Sequence, residues 1–131
     1  MIRTTVFILA ILFSASHAAA TGGVYCDGAD EDSVGAYLSV GRVPGFAVVN
    51  AHITALERTW DTGGQDGAEP IVMAQGAVVG DLIVADFADP NVEGIVASLR
   101  VVQVQNDTGM AAAGVLSLPG IGIWTVTCVL D

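Results

Sequence analysis

The chain has 131 residues, of which 53% are hydrophobic and 14% are charged, and its formal net charge is −10 at pH 7. This length suits one domain, and the apolar composition argues against disorder. The 14 acidic residues against 4 basic ones argue against nucleic acid as a partner and disfavour an anionic membrane surface. An acidic surface of this kind favours solubility, the binding of a basic partner or the binding of a cation.

Residues 1–20 have the pattern of a secretory signal peptide. Arg3 precedes the apolar run VFILAILF, and Ala18-Ala19-Ala20 offers small residues for cleavage. The apolar run is well short of the roughly 20 residues that a membrane span needs. We therefore expect cleavage near Thr21, a single mature domain of residues 21–131, no membrane anchor after cleavage, and a secreted or periplasmic location. The alternative is an uncleaved N-terminal anchor.

The remaining chain is predicted to be all-β. Apolar residues tend to alternate, Gly or Pro interrupts them regularly, and the four prolines fall between the predicted strands. About seven to eight antiparallel strands favour a β-sandwich that is immunoglobulin-like only in its general architecture, with a small β-barrel as the alternative. The predicted strands cover residues 23–26, 34–41, 45–60, 70–79, 81–87, 93–105, 110–118 and 121–130.

The two cysteines, Cys26 and Cys128, lie almost at the two ends of the predicted mature chain. In an exported protein such a pair indicates a disulfide, here between the terminal strands. Closing a loop of roughly 100 residues stabilises a fold by up to about 4.7 kcal/mol in the chain-entropy model. Alternation in the last strand places Trp124 and Cys128 on one face, so the indole is expected to pack beside the bridge.

Alternation along the predicted strand 45–60 separates two faces. One face is apolar and should line the core; its residues are Ala47, Val49, Ala51, Ile53 and Ala55. The other face mixes aromatic, polar and basic side chains, which are the usual anchors of a protein interface when they are exposed. The predicted interface consists of Phe46, Leu56, Arg58 and Trp60, with Tyr25 and Tyr37 on earlier strands. The alternative is that this face is buried.

The sequence offers little for catalysis. His52 is the only histidine outside the predicted signal peptide, and no G-x-S-x-G turn, phosphate-binding loop or dinucleotide motif is present. One histidine and two bridged cysteines cannot provide the three or four ligands of a zinc site. We therefore expect no enzyme activity, and a hydrolase that uses loop carboxylates is the remaining catalytic alternative.

Calcium is the one cofactor that the acidic loops could bind. The segment VADFADPNVEGI resembles the start of an EF-hand loop, but the twelfth position counted from Asp89 is Arg100 instead of a glutamate. A strand also follows where the EF-hand needs a helix. The prediction is therefore reduced to a loop cation site, whose alternative is a solvated turn. Its residues are Asp86, Asp89, Asn91 and Glu93; two further acidic loops contain Asp27, Asp30 and Asp32, and Asp61 and Asp66.

Together these features predict an exported, non-catalytic binding or accessory protein. Its expected partner is another exported or envelope protein, and the acidity of the chain suits a partner with a basic surface. The first alternative is a calcium-dependent adhesion or carbohydrate-binding domain. The second is the carboxylate-dependent hydrolase.

Overall fold

The computed structural model describes residues 22–41 and 45–131, so the predicted signal peptide and cleavage site lie outside the described residues. Every regular element within them is a strand, and none of them belongs to a helix of the length and apolarity that a membrane crossing requires. The strands are β1 (Gly22–Gly28), β2 (Gly35–Gly41), β3 (Ala47–Ala55), β4 (Arg58–Asp61), β5 (Glu69–Pro70), β6 (Val72–Val79), β7 (Leu82–Ala88), β8 (Ile95–Asn106), β9 (Gly109–Leu118) and β10 (Gly122–Leu130).

The strands form one ten-stranded sheet in the order β5-β4-β3-β2-β1-β10-β9-β8-β7-β6. Neighbours are antiparallel except for the short parallel pair β4/β5. The two edges of the sheet, β5 and β6, are consecutive segments of the chain that are joined by the buried Ile71. Because β5 pairs with β4 while β6 pairs with β7, one bent segment brings the two edges of the sheet together.

Side chains meet across the remaining gap between β3 and β6, where Phe46 lies beside Gly76. The sheet is therefore nearly closed. The predicted all-β antiparallel class is confirmed, and the single sheet matches the barrel that was the alternative to a sandwich of two sheets. More strands form than predicted because the predicted strands 45–60 and 70–79 each divide into two.

The core fills the interior of the closed sheet with inward-facing residues from most strands. Its largest fully buried side chains include Phe87, Leu38, Ile53, Leu99 and Leu116. Burying one such side chain contributes about 1.5–3 kcal/mol relative to leaving it in water. The inward-facing side chains hold the strands together, so the side chains on the outer face of the sheet are not needed for the core.

The predicted disulfide is confirmed. Cys26 of β1 and Cys128 of β10 are direct cross-strand partners with Cα atoms 4.1 Å apart. Trp124 and Cys128 share the core-facing side of β10, as alternation predicted. The indole does not pack beside the bridge as expected, because its ring lies over Gly122, away from Cys128. The bridge joins two halves of five consecutive strands each, β1–β5 and β6–β10, at the one place where they pair side by side.

The prediction of a single strand over 45–60 is wrong because a tight turn interrupts it. Leu56 and Glu57 have φ values of 49° and 63°, and two successive residues with positive φ make the type I′ turn that suits hairpins. After this turn Trp60 pairs with Ile53 and points into the core, where it is only 3% exposed.

A register shift in β3 causes a second error. Ser39 pairs with Asn50 but Val40 pairs with Val48, so Val49 is an extra residue in the strand. A bulge of this kind reverses which side chains face inward. Accordingly Val48 packs against the core, while Val49, predicted to be buried, is 65% exposed.

Candidate functional site

The four residues of the predicted interface do not share one exposed face. Trp60 is buried, and the Arg58 guanidinium lies 4.9 Å from the centre of its ring. The same guanidinium donates hydrogen bonds of 3.0 and 2.8 Å to Glu69. Phe46 packs against the core, which leaves Leu56, 50% exposed in the turn, as the exposed apolar member. Arg58 and Trp60 therefore stabilise the β3–β5 region.

Asp86, predicted as a calcium ligand, has a different partner. It is 9% exposed, and its two carboxylate oxygens accept hydrogen bonds of 2.8 and 3.1 Å from Arg100. Burial raises the pKa of Asp86, but hydrogen bonds from Arg100 and Ser98 and the arginine charge outweigh it, so the net pKa is lowered. The carboxylate is thus ionised and paired within the sheet.

Asp89 is committed to the turn that contains it. Its Oδ1 accepts hydrogen bonds from the amides of Asn91 and Glu93, at 2.9 and 3.1 Å, and its Oδ2 accepts one of 3.1 Å from Gly94. Local bonds of this kind are the usual reason for Asp in turns. Within residues 22–41 and 45–131, no group of three His, Cys, Asp or Glu side chains is placed to hold a metal ion. Calcium binding here stays a prediction.

His52 and Asp61 form a polar pair on the outer face of β3 and β4. His52 Nδ1 lies 3.0 Å from Asp61 Oδ2, and Asp61 Oδ1 accepts a 2.6 Å bond from the Gly63 amide. Burial raises the pKa of Asp61, but the bonds from His52 and from the amides of Gly63 and Gln65 outweigh it, so the net pKa is lowered. Asp61 is 6% exposed, which marks it as an organising residue of the loop that follows.

A second set of polar bonds lies next to this pair. The Thr62 hydroxyl donates a 2.6 Å bond to Asn50 and accepts a 2.8 Å bond from the Ala51 amide. These contacts fix the loop after β4 onto β3. Among the described hydrogen bonds of His52, the partner is Asp61, and none reaches a hydroxyl or a thiol.

A continuous row of side chains crosses the outer face next to this pair. In register, Val129 pairs with Tyr25, Tyr25 with Tyr37, Tyr37 with His52, and His52 with Asp61. Val129 is 69% and Tyr25 41% exposed, and the His52 side chain is 30% exposed. We call Val129, Tyr25, Tyr37 and His52 the Tyr25 row.

Both tyrosines of the row fold back over a glycine two residues earlier on their own strand. A Cβ added at Gly23 would overlap the Tyr25 ring, and a Cβ added at Gly35 would overlap the Tyr37 ring. The Tyr37 and His52 rings are inclined by 25° with centroids 6.4 Å apart, which is the geometry of an offset, near-parallel pair. The rings are therefore held against the sheet, and their position is set before any partner binds.

Small apolar side chains extend the row across β8 and β9. Val104 pairs with Ala111, and Val102 pairs with Ala113. The two valines are 56% and 51% exposed, and both alanines are exposed. We call these four residues the apolar extension. Strand β10 lies between the apolar extension and the Tyr25 row: its Thr127 pairs with Ala113, and its Val129 belongs to the row. The exposed surface from β8 to β3 is therefore apolar except at Thr127.

Negative charge borders this surface. Asp27, on the same outer face of β1 as Tyr25, accepts a 2.6 Å hydrogen bond from the Tyr37 hydroxyl. This bond, together with burial and the carboxylate charge, raises the pKa of Tyr37. The two arginines in the described residues, Arg58 and Arg100, each bond a carboxylate through two nitrogen–oxygen contacts or more. Neither is therefore available to offset Asp27.

The sequence places both tyrosines on early strands but does not identify the row. The available signal is the repeated pattern Gly-x-Tyr, at Gly23 to Tyr25 and at Gly35 to Tyr37. The pattern gives the position of each ring within its strand, but the row depends on the register between strands. No protein-family model, no curated protein and no solved structure matches the chain.

Proposed function

We propose that this protein is exported and works without catalysis, by binding another exported or envelope protein through the Tyr25 row and the apolar extension. Export is supported by the signal-peptide pattern of residues 1–20. The Cys26–Cys128 disulfide is consistent with an oxidising compartment.

The exposed row is the observation that carries the proposal. The outer face of a sheet that encloses a core is normally polar, yet here valines and a tyrosine are between 41% and 69% exposed along one line. Contiguous apolar surface marks interaction sites, and tyrosine is enriched among the residues that carry binding energy. Because the rings are already fixed on glycines, they lose little side-chain entropy on binding.

Carbohydrate binding is a second candidate, and one observation favours it. The Tyr37 and His52 rings are neighbours with their planes 25° apart, and the Tyr37 hydroxyl bonds the carboxylate of Asp27. Neighbouring rings that lie flat against a sheet can stack on the apolar face of a sugar, while carboxylates accept hydrogen bonds from its hydroxyl groups. A protein partner is preferred because the apolar extension prolongs the surface without adding polar groups.

The test uses a pair of matched variants on β10. Val129 and Ile123 are both 69% exposed and lie on the same outer face, but six residues, or about 20 Å, separate them. The full chain, exported so that the disulfide forms, is used to capture proteins from an envelope extract. Val129→Thr should lower partner capture by about fivefold, the usual loss for an interface anchor, while Ile123→Thr should not.

Equal capture by wild type and the Val129 variant would contradict the proposal. A glycan-binding screen run in parallel addresses the second candidate. If a soluble oligosaccharide binds, Tyr37→Ser abolishes this binding, and no row-dependent protein partner is captured, the ligand is a sugar and not a protein.

A further inference from the structure

Resting on the proposed function, we propose that the Tyr25 row and the apolar extension recognise a basic segment of the partner. This segment is aliphatic where it meets the apolar extension, and it carries arginine or lysine where it meets Tyr25 and Tyr37.

The gradient runs across the strands. From Val104 on β8 to His52 on β3 the surface crosses β9, β10, β1 and β2, a distance of about 24 Å at the usual strand spacing. An extended segment of about seven residues has this length, and it must bend with the surface, because the path covers six of the ten strands of a nearly closed sheet. One end of the surface consists of valine and alanine, and the other consists of rings beside carboxylates. A partner that matches both ends must change from aliphatic to polar along the same length.

The charges at the ring end of the surface determine the sign of charge that the polar end of the partner segment must carry. The carboxylates at the ring end belong to Asp27 and Asp61, and both arginines in the described residues already bond carboxylates. With a formal net charge of −10, the chain repels an anionic partner and attracts a cationic one. Tyr37 also holds the Asp27 carboxylate in place through its hydroxyl, 2.6 Å away.

The chain contains one example of the proposed contact. Arg58 lies over the Trp60 ring, 4.9 Å from its centre, and donates two hydrogen bonds to Glu69. The cation is thus held by a ring face and a carboxylate together. Tyr25, Tyr37 and Asp27 present the same two groups on the surface, where a cation of the partner completes the arrangement.

A labelled peptide, Val-Ser-Val-Ser-Arg-Ser-Arg, tests the inference by fluorescence anisotropy against the full, disulfide-bonded chain. A second peptide replaces arginine by glutamate, and a third replaces valine by serine. We expect the glutamate peptide to bind at least about tenfold more weakly and the serine peptide about fivefold more weakly. Binding of the arginine peptide should weaken about fivefold between low and high salt.

Protein variants identify the site. Asp27→Asn should weaken binding of the arginine peptide about fivefold. Tyr37→Phe, which keeps the ring and removes the hydroxyl bond to Asp27, should have a smaller effect. The control is Glu93→Gln, because Glu93 is also exposed but lies at the opposite end of β8 from Val104. Thermal melting of each variant confirms that the fold is retained.

Equal binding of the arginine and glutamate peptides, or no response to Asp27→Asn, would overturn the inference. If a captured partner depends on Val129 but the peptides show no charge preference, the proposed function stands and the basic segment is wrong. If the Val129 variant captures partners as wild type does, both are wrong. A neutral oligosaccharide that displaces the arginine peptide and binds more tightly would also overturn the inference.

Discussion

Backbone strain is concentrated at the few non-glycine residues that have positive φ in the described part of the chain. Leu56, Glu57 and Val92 have φ values of 49°, 63° and 56°. This region costs an ordinary residue about 1–2 kcal/mol, and a β-branched side chain fits it worst. Val92 keeps the conformation because the Asp89 carboxylate bonds the amides on both sides of it.

Val92→Asn should therefore stabilise the protein. Asparagine tolerates positive φ, so we expect a gain of roughly 0.5–1 kcal/mol and a rise in melting temperature of a few degrees. Val79→Asn is the matched control, because both valines are 67% exposed but Val79 ends a strand without positive φ. A melting temperature that falls in the Val92 variant would show that the loop gains nothing from the change.

The two buried carboxylates make stability depend on pH. The pKa values of Asp61 and Asp86 are lowered from the ordinary value of 3.8 in the folded protein. A carboxyl group whose pKa is lowered by folding stabilises the folded protein. This stabilisation is fully present above the unfolded-state pKa of 3.8, and it is lost as the pH falls through the folded-state pKa. The free energy of unfolding should therefore be flat near neutral pH and decrease below pH 4, roughly.

Asp86→Asn tests this dependence by urea unfolding across the acid range. The variant is expected to be less stable at neutral pH because Arg100 loses an ionised partner, and its stability should decrease less steeply below pH 4, roughly. Asp66→Asn, in an exposed loop, should keep the wild-type slope. If stability decreases with falling pH equally steeply in Asp86→Asn and in wild type, Asp86 does not cause the pH dependence.

The loop between β7 and β8 contains most of the predicted calcium ligands, so the calcium hypothesis is tested here. The Asp89 oxygens are bonded to amides and Asp86 to Arg100, so binding calcium would require breaking these bonds. We expect the same melting temperature, within about 1 °C, in EDTA and in millimolar calcium. A rise that saturates with calcium would instead restore the cation site at Asp86, Asp89, Asn91 and Glu93.

The sequence predicts most of the strands and the disulfide, because the alternation of apolar residues and the positions of the cysteines are direct signals. It does not predict the division of 45–60, because Leu56 and Glu57 form a type I′ turn without the usual Asn or Gly. The bulge at Val49 also has no local signal. The turn decides that Trp60 is buried, because it places Trp60 opposite Ile53, and the bulge decides that Val49 is exposed. The Tyr25 row was missed for another reason, since it is defined by pairing between four strands.

At the scale of the whole molecule, the disulfide connects two halves that otherwise meet through strand pairing and core packing. The bridged residues are 102 positions apart, so the bond restricts nearly the whole unfolded chain. Replacing both Cys26 and Cys128 by alanine should lower the free energy of unfolding by about 2–5 kcal/mol. Urea unfolding measures the loss, and wild type in reducing agent is the comparison. An unchanged midpoint would show that packing alone holds β1 against β10.

The same bond makes the molecule a covalent ring. The peptide chain joins the two halves through Ile71 on one side, and the sulfur bridge joins them on the other. A protease that cuts once within the exposed stretch 63–67 opens the ring without releasing either half. The nicked protein should therefore migrate as one species on a non-reducing gel and as two fragments after reduction. A single cut of this kind would leave the two halves attached and their shared surface assembled.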